Sequence, residues 1–323
     1  MERIEWVDRM RGLAILSVVI QHFTFNFDNQ FVYHRLIGIS NMALFFFVSG
    51  YILCQTTNLS SINDVLFFLR KKTIQLLLPL IVYQLLVVPY FFNAMPTFPN
   101  WQSIADIFFA PKLWFLLTLY GYMFAFAVYN ALLKNKSGWV KIAWWIFIDI
   151  VLAVLWKYTG EFQLSVLYLP YFAAGVLFAS GMCSRLMSSC IVSAVCLFIV
   201  CFITCFWSSG HTSLPNILIK IIVSLSVIQL TYNICLKMHW CVLFDKFIKE
   251  SSINTLAIYI IHWTFLPLFL VKPVLPQNEL FAFLICTLSA VVISSACILL
   301  KRIVALFPIA DLLLFGVMPK KKS

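Results

Sequence analysis

Asp8-Arg9-Met10-Arg11-Gly12-Leu13-Ala14 leads into an apolar run through Ile15, Val18 and Val19 that is interrupted, deep inside, by the polar pair Gln21-His22. A hydrocarbon core about 30 Å thick takes about 20 residues of helix. This run begins at Leu13 with no small-residue cleavage site and carries a histidine in its middle, so it reads as a first membrane helix that stays in the mature protein rather than as a signal peptide. The rest of the chain agrees: of 323 residues, 63% are hydrophobic and 11% charged, with a mean hydropathy of +0.96. Soluble domains are about half apolar and about a quarter charged, so the composition excludes an ordinary globular protein, a disordered chain and a nucleic-acid module.

Long apolar stretches broken by charged or Pro/Gly/Asn clusters recur to the C-terminus. They place about ten transmembrane helices near 11–28, 40–56, 73–93, 112–133, 142–157, 163–182, 188–207, 214–235, 253–271 and 280–300. The stretch 142–157 is short and contains Asp149. The stretch 303–318 is apolar but broken by Pro308 and Asp311, so 303–323 reads as an interfacial segment with a basic cytoplasmic tail. With no internal repeat and no low-complexity linker, the expectation is an all-α polytopic integral membrane protein in which residues 1–323 form a single domain.

Basic residues test the orientation, because Lys and Arg collect on cytoplasmic loops. With the N-terminus inside, most of the 23 Lys and Arg fall on the cytoplasmic side, from Arg3, Arg9 and Arg11 through Arg70, Lys71, Lys72, Lys134 and Lys249 to Lys301, Arg302, Lys320, Lys321 and Lys322. Only Arg35, Lys112, Lys157 and Lys272 fall outside, and Lys220 lies within a span. Both termini are therefore expected in the cytoplasm, and the net charge of +11 serves topology before it serves any acidic partner. The 10 cysteines sit in or beside apolar runs and read as buried thiols. No Cys-x-x-Cys and no closely spaced His/Cys set occurs, so no metal site is expected. Trp101, Trp114, Trp139, Trp156, Trp207 and Trp240 fall near expected interfaces, as an aromatic belt does. The proline-rich loop 94–111 is the longest outer loop.

Arg11 and His22 are eleven positions apart, about 20° beyond three full turns and roughly 16 Å along the axis. They share one face of the first helix, with Arg11 at the cytoplasmic boundary and His22 near mid-bilayer. An imidazole at that depth is costly unless it faces a cavity or a partner. Two readings stand: a functional group, or an interhelical hydrogen bond that holds helices together. Arg11 alone also fits a snorkelling boundary residue. His262 is a second deep histidine, and Tyr259, three residues earlier, shares its face. Ser49 beside Gly50 reads as a small-residue packing pair. Asp149 and Lys220 are further intramembrane charges to which the sequence gives no role.

The pattern Asp-x-x-Arg-Gly-x-Ala with Arg-x10-His resembles the acyltransferase 3 family of integral membrane O-acyltransferases. Phe45-Phe46-Phe47-Val48-Ser49-Gly50-Tyr51 resembles the family's second-helix phrase, Leu113-Trp114-Phe115-Leu116 its mid-chain element, Tyr171-Phe172-Ala173-Ala174-Gly175 its Phe-x-x-Gly element, and Tyr259-Ile260-Ile261-His262 its Tyr-Leu-x-His. The resemblance runs in order along nearly the whole chain. The family's Arg-x-x-Arg ahead of a proline is altered here: counting back from Pro79, the matching positions hold Lys72 and Gln75, with Arg70 and Lys71 just before. Lysine is a point charge where arginine is a bidentate fork, so the charge is kept and its geometry is not.

The resemblance implies a multi-pass inner-membrane enzyme that moves an acetyl group from cytoplasmic acetyl-CoA, a co-substrate rather than a bound cofactor, to a hydroxyl of a cell-surface glycan or its lipid-linked precursor. His22 would be the general base, since a neutral imidazole suits the removal of a hydroxyl proton. Arg11 would orient His22 or hold donor phosphate. Arg70, Lys71 and Lys72 would contact donor phosphates, and Asp8, three residues before Arg11, would pair with it. Tyr259 and His262 would support the site. The rival from another class is a proton-coupled transporter or flippase that uses His22, Asp149, Lys220 and His262, although paired repeats with interrupted helices are missing from the sequence.

Overall fold

Helix accounts for nearly all of the computed structural model, which describes residues 4–24, 32–87, 113–133, 135–159, 163–206, 214–265 and 278–318, and no strand occurs among them. The loop 94–111, Trp101, Trp207, Arg3, Lys112, Lys134, Lys272 and the tail residues Lys320, Lys321 and Lys322 lie outside the described residues, as do parts of several expected spans. In chain order the helices are α1 (Glu5–Thr24), α2 (Val32–Thr56), α3 (Ile62–Lys72), α4 (Leu78–Val82), α5 (Trp114–Leu133), α6 (Gly138–Thr159), α7 (Gln163–Ala179), α8 (Ser184–Ser188), α9 (Cys190–Phe206), α10 (Leu214–Lys237), α11 (Val242–Ile253), α12 (Thr255–Phe265), α13 (Glu279–Val304) and α14 (Pro308–Phe315). Wider π-helical turns, Thr73–Leu77 and Tyr83–Val87, flank α4.

Among the described residues, five segments are long and apolar enough to cross a membrane: Leu36–Thr56, Trp114–Leu133, Gly138–Tyr158, Asn216–Lys237 and Glu279–Val304. The apolar pieces Ser165–Ala179, Cys190–Ile203 and Thr255–Phe265 are shorter. The first helix has the length, but Glu5, Asp8, Arg9 and Arg11 dilute its N-terminal half. The stretch that looked short at 142–157 is in fact a helix of 22 residues, because Trp139 and Val140 extend its apolar surface past Lys141.

The chain forms two compact units, Met1–Thr56 with Leu167–Ile298 and Thr57–Val166 with Leu299–Ser323. In the first, α1 packs against α2, α10, α11 and α12, so Met10, Ala14, Ile15 and Val18 are wholly buried. Close approach depends on missing side chains. A Cβ on Gly12 would strike the carbonyl of Ile248 on α11. One on Gly50 would strike the carbonyl of Phe172 on α7, and one on Gly175 the carbonyl of Phe47 on α2. The α2–α7 crossing is thus a reciprocal glycine contact, the means by which membrane helices gain van der Waals packing without a hydrophobic drive. Trp6 adds edge contacts to Tyr51 and Tyr232, at 4.7 and 4.9 Å between ring centroids.

Beside this aromatic group stands an ionic cluster at the charged end of α1. Arg9 Nε donates to Asp245 Oδ1 at 2.6 Å and Arg9 Nη1 to the Cys235 carbonyl at 3.0 Å. Lys249 pairs with Asp245 at 2.7 Å and with Glu5 at 3.1 Å. The hydrogen bond from Arg9 holds the Asp245 carboxyl below its ordinary range, and Asp245 in turn raises Arg9 and Lys249.

In the second unit, α3 starts at a capping box in which Ser61 and Asp64 satisfy each other's backbone N–H. Asn130 on α5 anchors the preceding turn, accepting from the Leu59 N–H at 2.9 Å. Ile62, Leu66 and Phe67 form an exposed apolar strip on α3, the pattern of an interfacial helix. The segment 303–318 bends into the short α14, which packs on α4. There Lys301 pairs with Asp311, and Gly316, at φ +63°, meets the backbone of Ile74 and Gln75.

Among the described residues, no disulfide joins the nine cysteines. Uniform burial does not hold: Cys196, Cys235, Cys286 and Cys297 are buried, while Cys183, Cys190, Cys201 and Cys241 are exposed. The exposed ones lie on outward helix faces or at helix ends, where an apolar neighbourhood in sequence does not mean a packed one.

Candidate active site

Because α1 is continuous from Glu5 to Thr24, Arg11 and His22 stay on one face, three turns apart. Gln21 and His22 divide their tasks. Gln21 faces α2, where its Oε1 accepts from Asn41 Nδ2 and its amide lies against Gly38. Asn41 is itself buried, with Oδ1 accepting from the Met42 N–H at 2.6 Å. Gln21 is thereby a packing residue between α1 and α2, and His22, one position on, turns to α12.

On α12 the His262 ring lies 5.2 Å from that of His22, and the Trp263 ring lies 4.3 Å from it. His262 and Trp263 are 5.6 Å apart, and Tyr259 stands 6.0 Å from His262. His262 is 1% exposed. Its Nδ1 is 2.8 Å from the Ile258 carbonyl. A carbonyl only accepts, so in the neutral ring the proton sits on Nδ1 and Nε2 presents its lone pair. That Nε2 is buried without a hydrogen-bond partner, as is the indole Nε1 of Trp263. His262 and Trp263 therefore hold one unfilled acceptor and one unfilled donor, a combination that matches a hydroxyl hydrogen and a carbonyl oxygen.

The remaining sequence-derived residues fall into two groups. Asp8 Oδ1 accepts from Ser252 Oγ at 3.1 Å, which ties α1 to α11 across 244 residues. Arg11, half-buried, sits one position before the Gly12 contact with Ile248. Arg70, Lys71 and Lys72 belong to the second unit, in the last turn of α3, where cations complement the helix dipole. Arg70 and Lys71 are exposed. Lys72 Nζ donates to Gln75 Oε1 at 3.2 Å, so the two positions that match Arg-x-x-Arg are joined to each other. Tyr171 Oη donates to the Lys220 carbonyl at 3.4 Å, and Asp149 Oδ1 is buried without a hydrogen bond.

Sequence reasoning missed Trp263, which near the end of an apolar run reads as one more membrane-belt indole. Its adjacency to His262 was the available signal. It also missed the Arg9–Asp245–Lys249 cluster, whose partners are distant in sequence.

A search of curated proteins and a search of solved structures each return no match. A family model described as an acyltransferase domain matches residues 4–299, from the start of α1 to the last turns of α13, and so takes in α1, α3 and α12 with all the residues above. On that match, the chain belongs to the acyltransferase 3 family of membrane acyltransferases.

Proposed function

We propose that the protein is a multi-pass inner-membrane O-acyltransferase that moves an acetyl group from cytoplasmic acetyl-CoA to a hydroxyl of a cell-surface glycan or its lipid-linked precursor, with the whole of 1–323 as the acyltransferase domain and both termini in the cytoplasm. The observation that carries the reading is the position of His22. Its ring lies against His262 and Trp263, whose Nε2 and Nε1 are buried without hydrogen-bond partners.

A hydroxyl is a weak nucleophile until its proton is removed during attack. In the proposed step the acceptor oxygen attacks the thioester carbonyl carbon while His22 takes the hydroxyl proton. The tetrahedral intermediate collapses, the C–S bond breaks, and His22 returns the proton to the departing thiolate. Arg11 orients His22 or holds donor phosphate. Arg70, Lys71 and Lys72, in the second unit, are the proposed donor-phosphate contacts, acting through charge-assisted hydrogen bonds.

The test is binding and hydrolysis of radiolabelled acetyl-CoA by the detergent-purified protein, wild type beside His22→Ala and Arg11→Ala. Turnover lost in His22→Ala with donor binding kept, and binding weakened in Arg11→Ala, is the expected result. A folded wild type that neither binds nor turns over acetyl-CoA overturns the acetyl-CoA reading.

A further inference from the structure

We propose that Trp263 is a further catalytic residue, its indole N–H binding the thioester carbonyl oxygen and holding the negative charge that develops there during transfer. The assignment rests on the acyl-transfer reading of the same site.

Thioester attack drives the carbonyl π electrons onto oxygen, and a preorganised donor at that oxygen is commonly the largest single contribution to such a step. Among the three clustered rings the donor can be assigned by elimination. His262 has committed its Nδ1–H to the Ile258 carbonyl, so its neutral ring offers only a lone pair at Nε2. His22, as base, must present a bare nitrogen to the hydroxyl, and its other nitrogen, on the opposite side of the ring, diverges from the reacting centre. Trp263 remains. An indole nitrogen is a donor only, this one is buried without a partner, and its ring is 4.3 Å from that of His22.

A buried donor left unpaired costs about 1–3 kcal/mol, and Tyr and Trp usually find a partner when buried. A carbonyl oxygen brought in by substrate removes that cost, and the oxyanion formed from it binds more strongly than the carbonyl did. The gain therefore falls on the transition state more than on the ground state, which lowers the barrier without tightening donor binding. In full, the C–O bond forms, the hydroxyl proton passes to His22, and the carbonyl electron pair moves to the oxygen held by Trp263. That pair then re-forms the carbonyl as the C–S bond breaks, and sulfur leaves with the proton from His22.

The experiment uses the full chain in detergent with radiolabelled acetyl-CoA, for which water serves as acceptor, and compares wild type, Trp263→Phe and His22→Ala. Phenylalanine keeps an aromatic ring and removes the N–H. The expected result is a kcat for hydrolysis lowered roughly 100-fold in Trp263→Phe, with KM for acetyl-CoA within about 2-fold of wild type. A kcat within about 3-fold of wild type, while His22→Ala is inactive, overturns the role of Trp263 and leaves the acyltransferase reading standing. A folded wild type that neither binds nor turns over acetyl-CoA overturns both. Should Trp263→Phe fail to fold, 3-benzothienylalanine at position 263, which puts sulfur in place of N–H at nearly constant shape, gives the same discrimination.

Discussion

The rings of His22 and His262 lie 5.2 Å apart, centroid to centroid, joining α1 to α12 across most of the sequence. The Ile258 carbonyl fixes the tautomer of one of them, so the pair is ordered by its surroundings before any substrate arrives. General-base catalysis contributes about 10²- to 10⁴-fold. His22→Ala is expected to lower acetyl transfer by that factor while the thermal midpoint in detergent stays within about 3 °C of wild type. A midpoint collapse that matches the loss of activity would show that His22 serves packing instead.

The carbonyl that orients His262 suggests a variant that tests this order directly. His262→Phe keeps a buried ring but loses both nitrogens, whereas His262→Gln keeps hydrogen-bonding capacity. We expect the Phe variant to lose at least about 10-fold in kcat and the Gln variant to retain more activity. Equal activity in the two variants would assign His262 to packing alone.

How far the sequence could be read follows from what each feature depends on. The register of Arg11 and His22 is set within one helix, so spacing alone reveals it. Tyr259 and His262 are equally local. The partners of these residues come from helices hundreds of positions away, and no periodicity encodes which pairs meet. Arg9 illustrates this: alone it is another cytoplasmic-side cation, and only the fold shows it bound to Asp245 and the Cys235 carbonyl. The helix α3 stayed hidden for a different reason. Asp64, Arg70, Lys71 and Lys72 dilute its hydropathy, although its exposed strip of Ile62, Leu66 and Phe67 has helical spacing. Trp263 was concealed because position along a span does not tell an indole that faces lipid from one that faces a histidine.

At the α2–α7 crossing, Gly50 meets the Phe172 carbonyl and Gly175 the Phe47 carbonyl. Backbone cannot yield as a flexible side chain can, so the added methyl must push the helices apart. Gly50→Ala and Gly175→Ala are each expected to destabilise by about 1–3 kcal/mol, the usual cost of overpacking, with the midpoint in a detergent melt falling accordingly. The double variant should cost less than the sum, because the first separation makes room for the second methyl. Strict additivity would mean that the two contacts are independent.

The Arg9–Asp245–Lys249 cluster predicts a pH dependence whose sign differs between its members. Asp245 is held below its ordinary range, so its contribution is complete above about pH 3.9 and is lost as the pH falls through its lower folded value. Arg9 and Lys249 are raised, so theirs is complete below about pH 10.4 and fades only as the pH climbs through the folded values. Between these limits the cluster is insensitive to pH. Asp245→Asn should cost about 1–2 kcal/mol at neutral pH, and the difference in melting midpoint from wild type should shrink below about pH 3.9. A difference that persists unchanged at pH 3 would show that Asp245 contributes nothing through its charge.

The basic end of α3 separates donor binding from chemistry. Lys72 is hydrogen-bonded to Gln75 at 3.2 Å, which fixes the ammonium near the start of the π-helical turn, while Lys71 is exposed. If these cations hold phosphate, reversing both, Lys71→Glu with Lys72→Glu, replaces attraction by repulsion. The dissociation constant for acetyl-CoA should then rise at least about 10-fold, and by less at high salt, where exposed charges are screened. The kcat at saturating donor should change by less than about 3-fold, because neither lysine is assigned to the reacting atoms. Gln75→Arg, which restores the family's second cation, should tighten binding in the same assay. Donor affinity unchanged in both variants would remove the cluster from the site and leave Arg70, Lys71 and Lys72 as topology anchors.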